Sequence, residues 1–188
     1  MANNNTKYFI LTGEPGVGKT TLVKKLLSII NNKGISTSGF YTEEVRRKTT
    51  RVGFDVVTLE GTRCRLARED CLLDCVVENR VGKYGVLVQE FEAVALPCLQ
   101  VNTHQLLIID EIGKMEFFSN SFKNRIREIF SDSSNDVVLA TIPLRKIDTL
   151  IEKIRNNKNA KVWTVTRDNR NNIDEEIIKE MKLIFRFD

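Results

Sequence analysis

An α/β fold of three layers, with a mostly parallel sheet between helices and an inserted β-meander, is predicted by three features of the sequence. Short apolar runs alternate with amphipathic stretches, a glycine-rich loop separates the first run from the first amphipathic stretch, and a later apolar run ends in an acidic pair. Alternation of this kind implies right-handed crossovers and a ligand crevice beyond the carboxyl ends of the strands. The 188 residues suit a single domain, 1–188, because a core of that size can offset chain entropy and no repeat, linker or low-complexity tract divides it.

Tyr8 to Thr12 is a short apolar run leading into Gly13, which predicts a strand buried on both faces. Leu22, Val23, Leu26, Leu27, Ile29 and Ile30 then fall at helical spacing within 20–32, and Gly34 follows as a stop. Segments 39–45, 52–59 and 63–66 alternate and carry β-branched or aromatic residues, with polar stretch 46–51 and Glu60-Gly61 between them, so they predict the meander. Residues 67–85 predict loop and edge structure. Segment 91–99 predicts a helix with Pro97 near its end, and 105–110 a second buried strand. Further on, 117–130, 144–156 and 174–187 predict helices, while 136–142 and 161–165 predict strands, with Trp163 in the core.

Apolar residues at 41% and charged ones at 29% describe a globular chain and exclude the disordered class. The net charge of +4 can attract a polyphosphate, but no basic recognition module is present, so no dedicated nucleic-acid partner is expected. No apolar run approaches the ~20 residues that span a bilayer, and the polar start at 1–7 lacks the pattern of a signal peptide. The expectation is an intracellular, cytoplasmic protein with no membrane partner. Cys64, Cys71, Cys75 and Cys98 form no C-x-x-C pair and are expected as reduced, partly buried thiols rather than zinc ligands or disulfides.

Gly13-Glu14-Pro15-Gly16-Val17-Gly18-Lys19-Thr20 matches G-x-x-x-x-G-K-[ST] in full, between a predicted strand and a predicted helix. This is a P-loop (Walker A) motif. Its glycines let backbone N–H groups converge on phosphate oxygens, and the helix adds the positive end of its dipole. Lys19 is expected to reach the β- and γ-phosphates, and the Thr20 hydroxyl to ligate Mg²⁺. Asp110 and Glu111 end the strand at 105–110, as a Walker B acid pair does. Asp110 is the expected second partner of Mg²⁺, and Glu111 the residue that orients or deprotonates a water in line with the γ-phosphate. Thr141 at the next strand end could bond that water or the γ-phosphate, and Arg145, Arg155 and Arg170 are candidate charge stabilisers. The 110–113 D-x-x-G is a weak match to GTPases, and Asn157-Lys158-Asn159-Ala160 lacks the aspartate that reads guanine, so guanine specificity is not expected.

The P-loop, GFYTEEV at 39–45, RVGFDVVTLEG at 51–61, VGKYGV at 81–86, DEIGKME at 110–116, ATIP at 140–143 and T-x-x-N-R at 166–170 together resemble the cancer-related nucleoside-triphosphatase family over almost the whole chain. The resemblance implies a P-loop NTPase fold and a monomeric or weakly associating hydrolase of ATP, GTP, CTP, UTP and TTP, with weaker action on diphosphates. It also implies nucleotide contact at 13–20 and at Asp110, Glu111, Ile112, Gly113, Lys114, Met115 and Glu116. Two other classes share the P-loop. A nucleotide or nucleoside kinase would use Arg46, Arg47, Lys48 and Arg51 on a phosphoryl acceptor, and a nucleotide-dependent switch would turn over slowly and respond to a partner.

Overall fold

In the computed structural model, residues 6–100 and 104–187 are described, so part of the polar start at 1–7 lies outside them. One mixed sheet of nine strands organises the described chain, in the order β5-β6-β4-β3-β2-β7-β8-β1-β9. Its strands are β1 (Tyr8–Gly13), β2 (Thr37–Arg47), β3 (Thr50–Thr58), β4 (Arg63–Glu69), β5 (Arg80–Val81), β6 (Tyr84–Val86), β7 (Leu106–Asp110), β8 (Val138–Pro143) and β9 (Ala160–Thr164). The helices are α1 (Lys19–Asn32), α2 (Val88–Cys98), α3 (Asn120–Ile129), α4 (Thr149–Arg155) and α5 (Ile173–Phe185).

β2, β7, β8, β1 and β9 run parallel, as the strand–helix alternation predicts. β3 to β6 continue the same sheet antiparallel. The meander is therefore grafted on through β2, whose first half pairs with β7 and whose second half pairs with β3. Strand alternation divides the apolar residues between two faces. Ile10, Leu107 and Ile109 join Phe40, Phe91 and Phe122 beneath α2 and α3, whereas Phe9, Leu11, Leu106 and Ile108 meet Leu26 of α1 and Met181 of α5. The central strands read as continuous apolar runs because both of their faces are buried. Trp163 joins this second core, stacked on Phe9 at 6.0 Å between centroids.

Local capping explains where elements depart from the sequence expectation. The helix expected over 117–130 begins at Asn120, because the Ser119 hydroxyl accepts the Phe122 N–H at 2.9 Å and ends a preceding 3₁₀ turn. The helix expected over 144–156 begins at Thr149, because Asp148 accepts the Leu150 N–H at 2.7 Å and leaves 144–148 as a loop. Polar stretch 46–51 proves to be mostly strand. Arg46 and Arg51 both bond Glu44 across β2 and β3, which confines the turn to Lys48 and Thr49, with Lys48 at φ 53°. Within 67–85, β4 runs on to Glu69, and β5 and β6 form a short edge hairpin.

Candidate functional site

β1, β7 and β8 end side by side, with Leu11 opposite Thr141 and Ile109 opposite Ala140. Their carboxyl ends therefore gather the glycine loop, the acid pair and Thr141 at one edge of the sheet. Gly13 lies so close to the segment after β9 that a Cβ there would meet the Val165 carbonyl oxygen at 2.5 Å. Gly18 turns the loop into α1 at φ 111°, a conformation that side chains with a Cβ rarely adopt. α1 has no acidic residue in its first turn, so the positive end of its dipole is not offset from within. Lys19 is buried, folds back over the loop and donates to the carbonyls of Gly13 at 3.0 Å and Glu14 at 3.4 Å.

Asp110 is 1% exposed. Thr141 donates to its Oδ1 at 2.5 Å, while Oδ2 is buried without a hydrogen-bond partner. Burial raises the pKa of this carboxyl against the opposing pull of the Thr141 and Thr20 hydroxyls, the Lys19 charge and the Thr42 backbone. Glu111 comes within 4.0 Å of the Lys19 Nζ, with 32% of its side chain still open to the crevice. Its pKa too is raised, chiefly by burial, with Lys19 lowering it and Asp110 raising it. Glu116, 4% exposed, is pushed up to about 8 by burial and then by the neighbouring Glu111 charge. The two glutamates converge over Gly113, where a Cβ would lie 2.8 Å from the Glu111 Oε1 and 3.0 Å from the Glu116 Oε2. Ile112 is buried and donates its N–H to the Thr141 carbonyl at 2.9 Å, Met115 is half-buried and Lys114 is exposed.

A crevice of about 930 Å³ joins the P-loop to Glu111, Lys114, Met115 and Glu116 and runs on along the antiparallel half of the sheet. Ligand pockets fall in this size range. Of the three candidate arginines, Arg145 lines the crevice, on loop 144–148. Arg155 is bonded to Glu152, Thr12 and the Pro143 carbonyl, and Arg170 reaches the Val17 carbonyl at 3.3 Å on the far side of the loop. Thr141, expected to face a water or the γ-phosphate, is instead fully buried and holds Asp110. Segment 157–160 lies at the opposite end of the sheet from the P-loop, where the Asn159 carbonyl accepts the backbone N–H groups of Lys7 and Tyr8, and it cannot reach the base of a nucleotide held by the P-loop. The thiols are not all partly buried as expected. Burial raises the pKa of Cys64 to about 11 and of Cys98 to about 12, but Cys71 and Cys75 are exposed.

Sequence reasoning alone missed the apolar wall of the crevice at Phe54, Leu66 and Val81, because Phe54 and Leu66 come from strands read only as a meander and Val81 from a stretch read as loop and edge. Thr42, Glu43, Glu44 and Arg46 of β2 line the crevice beside that wall, across a register shift between Val45 and Arg46, and spacing in the sequence carries no signal for it. Among the described residues, no helix is long and apolar enough to cross a membrane.

A family model described as NTPase matches residues 8–178. The chain is 43% identical to the cancer-related nucleoside-triphosphatase homolog of Mus musculus, over 92% of this chain and 95% of that one. It is 42% identical to nucleoside-triphosphatase THEP1 of Aquifex aeolicus, over 90% and 96%. Among solved structures it resembles the crystal structure of THEP1 from that organism, with a TM-score of 0.78 at 42% identity over 90% and 96% of the two chains. It also resembles the solution structure of a human cancer-related nucleoside triphosphatase, with a TM-score of 0.77 at 43% identity over 93% and 96%.

Proposed function

The chain belongs to the NTPase family, and from that premise we propose that it hydrolyses nucleoside 5′-triphosphates to the diphosphate and phosphate, acting as a monomer of one domain with broad base tolerance. The observation that carries the reading is the adjacency of Glu111 to Lys19, at 4.0 Å, beside a complete P-loop. The N–H groups of 13–20 and the start of α1 cradle the phosphates. Lys19 exchanges its bonds to the loop carbonyls for the β- and γ-phosphate oxygens. Glu111 orients the attacking water and takes its proton, its raised pKa bringing it towards the pH at which it works.

Thr20 and Asp110 fit a magnesium ion, since a hydroxyl and a buried, unpartnered carboxylate oxygen are hard donors of the kind it prefers, with the phosphates supplying further oxygens. When bound, the ion supplies positive charge that offsets the charge building on the phosphates. Thr141 fixes the Asp110 carboxylate through Oδ1 and so leaves Oδ2 for that role. Lys114 and Arg145 face the crevice from its rim and counter charge on the leaving phosphate groups.

The test is phosphate release from a purified triphosphate with no acceptor present. Release that requires Mg²⁺ and stops on chelation is the expected result. Transfer seen only when a nucleoside or nucleotide acceptor is added would replace the hydrolase by a kinase.

A further inference from the structure

We propose that the part of the crevice beyond the γ-phosphate position is a binding site for a second small molecule, a planar aromatic compound carrying one phosphate, such as a nucleoside monophosphate. The proposal rests on the P-loop being the triphosphate site.

With Lys19 beside Glu111 and Asp110 at the strand ends, the γ-phosphate end of a bound triphosphate points towards 110–116. The proposal accordingly sets the α-phosphate and nucleoside towards Gly18 and the segment after β9, where Arg170 lies 3.7 Å from the position a Gly18 Cβ would take. The crevice extends the other way. It is lined by the P-loop, β2 to β5, the 111–116 segment and loop 143–147, and the segment after β9 contributes nothing to it. Hydrolysis needs room there only for water, yet the space of about 930 Å³ continues to Val81 on the edge hairpin.

The far wall has the chemistry of a ligand site. Phe54, Leu66, Val81 and Met115 form an apolar floor, and the Arg51 guanidinium lies over the Phe54 ring at 4.9 Å, so a flat aromatic body can rest against a flat wall. Basic Arg46, Arg51, Lys114 and Arg145 line the crevice with Lys19, and Glu14, Glu43, Glu44, Glu111 and Glu116 line it too. Arg46 and Arg51 share one carboxylate, Glu44, at 2.5 and 2.9 Å. Lys114 and Arg145 also line the crevice, and neither forms an ion pair with a described residue. Of the acids, Glu43 is committed to Lys24 and Arg63, Glu44 to Arg46 and Arg51, and Glu111 to Lys19, which leaves Lys114 and Arg145 for an incoming anion. An anion of modest charge set beside an aromatic ring complements this surface, and an occupant there displaces the water that Glu111 would use.

Calorimetric titration of AMP, GMP, CMP and UMP into protein saturated with Mg²⁺ and a non-hydrolysable β,γ-imido triphosphate tests the site, with inorganic phosphate as the control. One-to-one binding of at least one monophosphate, about tenfold or more tighter than phosphate, is expected, together with slower phosphate release when that monophosphate is added. Val81→Trp, at the rim of the edge hairpin, and Phe54→Ala should each weaken this binding by about tenfold and leave release from triphosphate alone unchanged. Absence of binding, phosphate binding as tightly as every monophosphate, or a raised KM for the triphosphate itself in either variant overturns the proposal. Loss of basal phosphate release in the wild type would instead remove the hydrolase reading, while the titration still decides this one.

Discussion

Two buried aspartates, one in each half of the sheet, meet opposite fates. Asp55 on β3 is bonded by Arg63 at 2.9 Å and by Arg68, so its charge is matched inside the fold. Asp110 on β7 is more deeply buried and receives the Thr141 hydroxyl on Oδ1 and no partner on Oδ2, and Glu111 and Glu116 crowd the same corner, where Lys19 pairs with Glu111. A buried carboxylate in a purely structural role is paired, because the desolvation cost of an unpaired one is large. The antiparallel half follows that rule and the strand ends of the parallel half break it, and the break coincides with the P-loop.

The largest effect expected from this contrast is on stability against pH. Glu116 ionises near its ordinary 4.5 in the unfolded chain but at about 8 in the fold. Between those values the unfolded state releases a proton that the folded state keeps, so stability falls as pH rises through that window, by up to about 5 kcal/mol, and levels off above it. Thermal denaturation of the nucleotide-free protein should show this slope, and Glu116→Gln should flatten it. A slope that survives the substitution would place the stranded charge elsewhere. Next, Lys19→Ala should reduce kcat/KM by about 10³-fold, roughly 4 kcal/mol, with the circular dichroism spectrum retained. Wild-type turnover in that variant would remove the P-loop from the reaction.

Asp55→Ala sharpens the comparison from the other side. It removes the carboxylate partner of Arg68, whose side chain is only 12% exposed and keeps just the Phe54 and Ala67 carbonyls, whereas the half-exposed Arg63 can turn to solvent. The cost should be about 3 kcal/mol, a fall in Tm of roughly 6–12 °C, with hydrolysis per folded molecule unchanged. The smallest effect concerns the base, for which segment 157–160 is at the wrong end of the sheet. KM values for ATP, GTP, CTP and UTP should fall within about tenfold, or ~1.4 kcal/mol. A preference for one base of about a thousandfold would require a base reader elsewhere near the P-loop.

The parallel half was legible in the sequence because its signals are local and periodic. A buried strand is a run of apolar residues, a phosphate loop is glycines at set spacing, and both kept their predicted places at 8–13 and 13–20. Asp110 and Glu111 could be found because they end such a run. Where two signals of similar strength competed, boundaries moved, as at Ser119 and Asp148, whose capping bonds override a helical periodicity that extends past them. Thr141 was found but given the wrong neighbour, since a strand-end hydroxyl does not reveal which adjacent strand it bonds. The apolar wall at Phe54, Leu66 and Val81 depends on how the meander joins β7 through β2, a non-local pairing that leaves no trace in spacing.

The central claim is that the two neighbouring acids at the end of β7 serve two different tasks, holding the metal and activating water, and Glu111→Gln separates them most directly. The substitution keeps the size and hydrogen-bonding reach of the side chain and removes its ability to take a proton, while Asp110, Thr141 and the P-loop stay intact. Mg²⁺–ATP affinity, read by calorimetry, should change little, and single-turnover hydrolysis should fall by about 10²–10⁴. Hydrolysis of ATP by Glu111→Gln at the wild-type rate would contradict the account and leave Glu111 a strand-end acid.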